Sequence, residues 1–262
     1  MKNSPMHKKL YEYVVEEIGL MIMKGKVEPG DTLPNEDALC RQYGVSRGVL
    51  REATKVLTQK GLIRTQPKIG TRIQPREAWN LFDADVLLWK LKVGDKLDFL
   101  KNVTEVRRII ESEAAFFAAQ RADPKECKHI RACYERLAKT LVNEADYDYD
   151  TYLESDMAFH AAILDACHND LLAQIGYTMR QAVQTARKAD IHDINIQRES
   201  LPFHLAMLDA IEAGKAEKAR QVSQAMFDQV WDYLPGITCP GKPHSCINNM
   251  AKSDTRVPRA RP

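Results

Sequence analysis

Residues 29 to 74, PGDTLPNEDALCRQYGVSRGVLREATKVLTQKGLIRTQPKIGTRIQ, constrain this chain more than any other stretch of it. Apolar residues Ala38, Leu39, Tyr43, Val45, Val49, Leu50, Ala53 and Leu57 recur at helical spacing, and Gly44 interrupts them where one helix must end and the chain reverse. Two amphipathic helices therefore pack across a tight turn. Ser46 stands where the second helix wants an N-cap, its hydroxyl free to accept an orphan backbone N–H, and Gly61 stands where that helix should stop. Leu62 to Thr65 and Thr71 to Gln74 are short and β-compatible. Pro67-Lys68-Ile69-Gly70 supplies a turn between them with a cation at its tip.

Helix, turn, helix and hairpin in that order form a winged helix-turn-helix, which lays its second helix in the major groove of DNA. The polar face near the start of that helix carries Arg47, Gly48 and Arg51. Taken singly, an exposed arginine most often solvates an ordinary helix. Two of them just after the turn point instead to guanine edges or phosphates, onto which a guanidinium can fork. Lys68 on the wing reaches toward the neighbouring minor groove or backbone.

The stretch PGDTLPNEDALCRQYGVSRGVLREATKVLTQKGLIRTQPKIGT resembles the GntR-type bacterial transcription regulators, whose pattern is close to PG-x-x-LP-x-E-x-x-LA, then GVSR-x-x-VREAL-x-x-L-x-x-x-GL, then a G-T/A wing. The resemblance implies operator contacts from Arg47, Arg51 and Gly70, and with Ser46, Gly48, Lys68 and Thr71 beside them these make up the expected DNA-contact set. A further family arginine is replaced here by Asp37, and a carboxylate facing phosphate would repel, so that contact is absent or replaced.

Composition agrees with a regulator in the cytoplasm. The 262 residues, 44% of them hydrophobic, suffice for one small and one medium domain. No apolar run reaches membrane-spanning length, and the start MKNSPMHKKLYEYV lacks the apolar region of a signal peptide. Six cysteines show no metal-finger spacing, so reduced thiols are expected. Cys239, Cys246 and His244 form a loose cluster in a Pro- and Gly-containing tail, read as disordered. The net charge of +2 hides an asymmetry: residues 1–78 carry 14 basic against 9 acidic side chains and residues 236–262 carry 5 against 1, which leaves the middle at −7. A basic head on an acidic body suits a nucleic-acid binder whose second domain stays off the DNA.

After the head, LFDADVLLWKLKVGD reads as a short helix in a linker, with Trp79 and Trp89 as apolar anchors. From Leu97 to Tyr233 apolar residues recur at three- and four-residue steps, with turns at Ala122-Asp123-Pro124, Asn169-Asp170 and Ala213-Gly214. This predicts six or seven helices in an antiparallel bundle. The chain is thus expected to be mainly α, with a winged helix-turn-helix over 6–75, a linker over 76–94, an all-helical domain over 95–235 and a basic tail over 236–262.

Three pieces of the bundle, EVRRIIESEAAFFAAQRA (105–122), DMAFHAAILDACHNDLL (156–172) and HLAMLDAIEAGKAEKAR (204–220), resemble the FCD ligand-sensing domain of the FadR subfamily of GntR regulators. The WNLFDADVLLWKL segment is most similar to sugar-acid, galactonate-type repressors. Asp156 and His160 are four apart, so both leave one helix face and can bind one cation together. The resemblance implies that this pair joins two later histidines around a divalent metal, Zn, Ni or Mn. His204, opening the HLAMLDAIEAG helix, matches the first, but Met226 stands where the second belongs, and a thioether is a poor ligand for such ions. Three ligands still leave open positions for water and effector oxygens. Arg107, in an R-x-x-x-E pattern with Glu111, is suited to fork onto an effector carboxylate. The plainer alternative is a surface i,i+4 pair at Asp156 and His160, a capping histidine at His204 and a salt bridge between Arg107 and Glu111. His129, His168 and His192 read as structural.

These features predict a non-enzymatic, homodimeric transcription regulator, a repressor released from a palindromic operator by a small carboxylate held in the helical domain. Two other classes stay open: a non-haem metal enzyme built on Asp156, His160 and His204, and an architectural DNA binder whose bundle only dimerises.

Overall fold

The computed structural model describes residues 5–66, 69–187 and 194–238. Lys68, His192, Cys239, His244 and Cys246 lie outside the described residues. The chain divides into two compact units, residues 1–95 and 96–262.

The first unit begins with α1 (Pro5–Met23), which buries Val14, Ile18 and Ile22 against α3 (Arg47–Gln59). Between them, α2 (Glu36–Tyr43) starts on Asn35, whose side chain accepts from the Ala38 N–H, and stops at Gly44 in the left-handed region at φ 66°. Only glycine enters that region at little cost, so the turn forms where the sequence pattern breaks. Ser46 then caps α3 by accepting from the Val49 N–H at 3.4 Å. Gly61, at φ 75°, turns the chain out of α3 so tightly that a Cβ would stand 2.0 Å from the Ala78 carbonyl oxygen. The wing follows as an antiparallel pair, β1 (Ile63–Gln66) and β2 (Gly70–Ile73), in register Ile63 to Ile73. Backbone bonds from Gly30 and Leu33 to Ile73 and Thr71 lay the 30–33 segment along the outer side of β2.

The expected linker is folded onto this unit. A 3₁₀ turn (Arg76–Ala78) leads to α4 (Ala84–Val93), whose Val86 and Trp89 are buried in the same core as Ile18 and Leu57. Gly19 makes this packing possible, since a Cβ there would meet the Trp89 ring at 2.4 Å. The buried Lys60 ammonium donates to both Asp83 and Asp85 at 2.6 and 2.7 Å, tying the start of α4 to the end of α3.

The second unit is an antiparallel bundle of α5 (Lys96–Arg121), α6 (Pro124–Lys139), α7 (Tyr149–Ala166), α8 (Asp170–Arg187), α9 (Ile194–Glu212) and α10 (Ala216–Thr238). α6 is opened by a capping box between Asp123 and Glu126 with Pro124 in the first turn, as the turn signal predicted. The long α5 packs against α7, α8, α9 and α10, which brings four helices around its middle. Gly176 sets the approach of α8 to α7, because a Cβ there would stand 2.6 Å from Leu164. One expectation is corrected: α9 begins at Ile194 and continues through Pro202, so His204 lies inside the helix instead of opening it. The four cysteines among the described residues, Cys40, Cys127, Cys133 and Cys167, are free thiols. No described helix is long and apolar enough to cross a membrane.

Candidate functional site

Two surfaces, one in each unit, gather the residues singled out in the sequence. In the first unit, Ser46, Arg47, Gly48 and Arg51 form one exposed patch on the first turns of α3. Gly48 is not required by the fold, since an added Cβ would meet only Ser46 Oγ at 3.8 Å. Its effect is to leave backbone bare at the surface. Each arginine is held by a carboxylate of α2: Arg47 donates to Asp37 at 2.7 Å and Arg51 donates to Glu36 at 2.8 Å. Asp37 is thus the partner of a recognition-helix arginine. Such exposed pairs contribute about 0–1 kcal/mol each, weak enough to give way to a phosphate or a base. On the wing, Gly70 is exposed at φ 103°, while Thr71 is half-buried and shares a hydroxyl contact with Thr65 at 3.1 Å. The register also sets Arg64 directly opposite Arg72, both exposed. Like charges directly opposite repel. An anion lying across the wing would relieve that repulsion, and neither arginine stood out in the sequence, where the pairing register is not visible.

In the second unit, Arg107, Asp156, His160, His204 and Met226 all line one cavity of about 80 Å³. Arg107 and Glu111 come from α5, Asp156 and His160 from α7, His204 from α9 and Met226 from α10. His160 and His204 are buried, which excludes a surface i,i+4 pair and a capping role. Arg107 does pair with Glu111, donating at 2.6 Å, and stacks over the Phe227 ring while lining the cavity.

The hydrogen bonds fix the tautomers of both histidines. His160 Nδ1 faces the Glu111 carboxylate at 3.0 Å and His204 Nδ1 faces the Ser200 carbonyl at 2.8 Å. Both partners are acceptors, so each Nδ1 carries the proton and each Nε2 presents a lone pair. The two Nε2 atoms lie 3.3 Å apart, and Asp156 Oδ1 lies 3.2 Å from that of His204 and 3.7 Å from that of His160. Three potential ligand atoms, two imidazole nitrogens and one carboxylate oxygen, therefore converge. Atoms bound to one ion at about 2.0–2.2 Å stand about 3–3.5 Å apart, so the residues fit a divalent metal. They form a two-histidine, one-carboxylate set with open positions.

The electrostatics favour the metal-binding forms of His160 and Asp156. Burial, together with the nearby Arg180 charge, lowers the His160 imidazole to about 4, so it is neutral at physiological pH. Burial pushes the Asp156 and Glu111 carboxyls upward. The Arg180 guanidinium at Asp156, and those of Arg107 and Arg180 at Glu111, outweigh that effect and hold both well below the usual carboxylate range.

Arg180 escaped the sequence reading. Its guanidinium donates to Glu111 Oε2 at 2.8 Å and to Asp156 Oδ2 at 2.7 Å, and its side chain is 1% exposed. The available signal was a charged residue on the apolar stripe of α8, in step with Ala173 and Val183. His168 pairs with Glu126 at 2.8 Å on the surface, and His129 stands beside Cys133.

Residues 10–73 match the family described as bacterial regulatory proteins, gntR family, and residues 102–229 match the FCD domain. The galactonate operon transcriptional repressor of Escherichia coli K12 is 29% identical over 220-odd residues, covering 86% of this chain and 96% of the relative. A protein of the same organism named for regulation of the L-lactate dehydrogenase operon is 31% identical, covering 83% of each chain. In fold, the chain resembles the solved structure of Lar, which controls expression of the Listeria monocytogenes agr system, with a TM-score of 0.56, 18% identity and coverage of 90% of this chain and 99% of that one. The matches span both units, the head over residues 10–73 and the helical body over residues 102–229: the chain belongs to the GntR family of bacterial transcription regulators, DNA-binding proteins with a C-terminal FCD effector-binding domain.

Proposed function

We propose that this regulator is a homodimeric repressor that leaves its operator when a small 2-hydroxycarboxylate, of the aldonate or lactate type, binds with a divalent metal in the cavity of the second unit. The observation that carries this reading is the convergence of Asp156 Oδ1 and the two histidine Nε2 lone pairs in a buried cavity that Arg107 and Arg180 also line. Galactonate and L-lactate, in the names of two relatives, share a carboxylate with a hydroxyl on the adjacent carbon. That pair of oxygens would suit the positions that Asp156, His160 and His204 would leave free on a divalent metal.

When bound, the metal supplies a Lewis acid that anchors the effector oxygens. Glu111 and the Ser200 carbonyl hold the imidazoles in the required tautomer, which is the role of groups behind metal ligands generally. Arg107 offers a fixed charge to the carboxylate, and Met157, Val183 and Phe227 line the same cavity with apolar surface. On DNA, Arg47 and Arg51 read base edges or phosphates, Ser46 and the bare backbone at Gly48 lie against the sugar-phosphate chain, and Gly70 and Thr71 place the wing. Two recognition helices of a dimer would sit about 34 Å apart on a palindromic operator. Effector binding releases DNA to the extent that the two conformations differ in affinity for it.

The experiment is thermal melting of the purified protein against a panel of 2-hydroxy acids, dicarboxylates and neutral sugars, with and without Zn²⁺, Ni²⁺ or Mn²⁺. A ligand at a hundredfold excess over its Kd adds about 2.7 kcal/mol of stability. A metal-dependent shift confined to hydroxy acids, together with loss of operator binding, supports the reading. Absence of any shift removes the effector site from this cavity. Two histidines and one carboxylate also serve oxygen-activating iron enzymes, so turnover of an acid by the metal-loaded protein would replace the receptor reading.

A further inference from the structure

The buried charges around the cavity balance before any ion enters. Arg107 and Arg180 face Glu111 and Asp156, two guanidinium groups paired with two carboxylates at 2.6 to 2.8 Å. A divalent ion added to this set leaves an excess of two positive charges in a buried volume, which is strongly unfavourable without a counter-charge.

Arg180 sharpens the conflict. It takes Asp156 Oδ2 for itself at 2.7 Å, so Oδ1 alone faces the histidines. A carboxylate whose charge is shared with a guanidinium is a weaker donor to a metal. Met226 lines the same cavity and supplies only a soft thioether, which hard and borderline ions take poorly. Arg180 Nε, moreover, is buried without a hydrogen-bond partner. Orphaned buried donors are uncommon and call for a partner that the polypeptide does not itself provide.

We propose that Arg180 couples the cation and anion sites of this cavity, so that a divalent metal is held tightly only together with a small anionic chelate, and the chelate only together with the metal. The anion supplies both the missing oxygen donors and the negative charge that the balanced network lacks. Because coupling is reciprocal, the factor by which the acid tightens the metal equals the factor by which the metal tightens the acid. The proposal rests on the reading of the cavity as a metal and carboxylate site, and adds that neither ligand binds well alone.

The test is Mn²⁺ binding to the full chain, followed by the electron paramagnetic resonance of free Mn²⁺, alone and with L-lactate or D-galactonate present. At least a tenfold tightening by one of the acids is expected, matched by an equal tightening of that acid by Mn²⁺ in calorimetry. Arg180→Met should strengthen Mn²⁺ binding in the absence of acid and shrink the coupling factor. Met226→His leaves the charge network intact and offers a fourth donor, so it too should strengthen metal binding without acid and reduce the coupling. Operator affinity without ligands monitors the fold of both variants. Equal Mn²⁺ affinity with and without acid would overturn the coupling while leaving the metal site standing, as would an unchanged coupling factor in Met226→His. Failure to bind Mn²⁺ under any of these conditions would remove the metal reading and the coupling with it.

Discussion

His160 and His204 turn their Nε2 atoms toward each other across 3.3 Å, and each has already committed its other ring nitrogen to an acceptor. The two Nε2 atoms can hydrogen-bond to each other only if one ring takes up a second proton or gives up the bond made by its Nδ1. Replacing either by alanine removes one of three donors, and Zn²⁺ or Mn²⁺ affinity measured in the presence of acid is expected to fall at least tenfold, the scale on which even indirect damage to a metal site is felt. Operator affinity without effector should stay as in the parent. Retained metal affinity in both variants would place the ion elsewhere.

Glu111 accepts from Arg107, Arg180 and the His160 ring at once, and it is 3% exposed. Glu111→Gln keeps the volume but strips the shared negative charge from two buried guanidinium groups. Breaking a buried ionic network from one side costs about 3–5 kcal/mol. Urea unfolding, with the slope unchanged and the midpoint lowered, would report that loss; a change under about 1 kcal/mol would mean that water or a counter-ion already reaches this network.

Arg51 is exposed, and its bond to Glu36 contributes little to the fold. Arg51→Ala should leave unfolding free energy within about 0.5 kcal/mol of the parent while weakening specific operator binding by about 1–3 kcal/mol, roughly 5- to 150-fold. Quantitative gel shifts against operator and scrambled duplexes measure both. Arg47→Ala is expected to behave alike, and unchanged operator affinity in both would remove α3 from the groove.

Gly48 separates folding from binding most cleanly. Its neighbourhood has room for a methyl, so Gly48→Ala should be neutral or stabilise the helix by up to about 1 kcal/mol. Where duplex backbone lies against that turn, the same methyl intrudes, and operator affinity should drop. A more stable protein with undiminished affinity would show that DNA keeps clear of this residue.

Local features were legible in the sequence, and contacts between distant residues mostly were not. Gly44 and Ser46 announce the turn and the cap because each solves a backbone problem at its own position. The i,i+4 step from Asp156 to His160 is likewise a property of one helix. That His204 reaches them depends on α9 bringing its middle to the level of Asp156, with the helix running on through Pro202, where a proline suggests a boundary. Arg180 was hidden because a charged residue is by default assigned to solvent, and its two carboxylate partners lie 69 and 24 residues away. Asp37 could be seen to replace an arginine, but its pairing with Arg47 follows from how α2 and α3 are set across the turn.

The contact between Gly19 and Trp89 carries a lesson for dissecting the protein. A polypeptide cut after residue 75 would retain every part of the helix-turn-helix and its hairpin, yet it would present a slot in α1 from which an indole had been withdrawn. Losing a buried tryptophan from such a slot costs on the order of 3–5 kcal/mol, a large share of the stability of a domain this small. The smallest autonomous reader is therefore the whole of residues 5–95, and a truncation designed from the DNA-binding motif alone would be a marginal fold, prone to proteolysis before it ever met an operator.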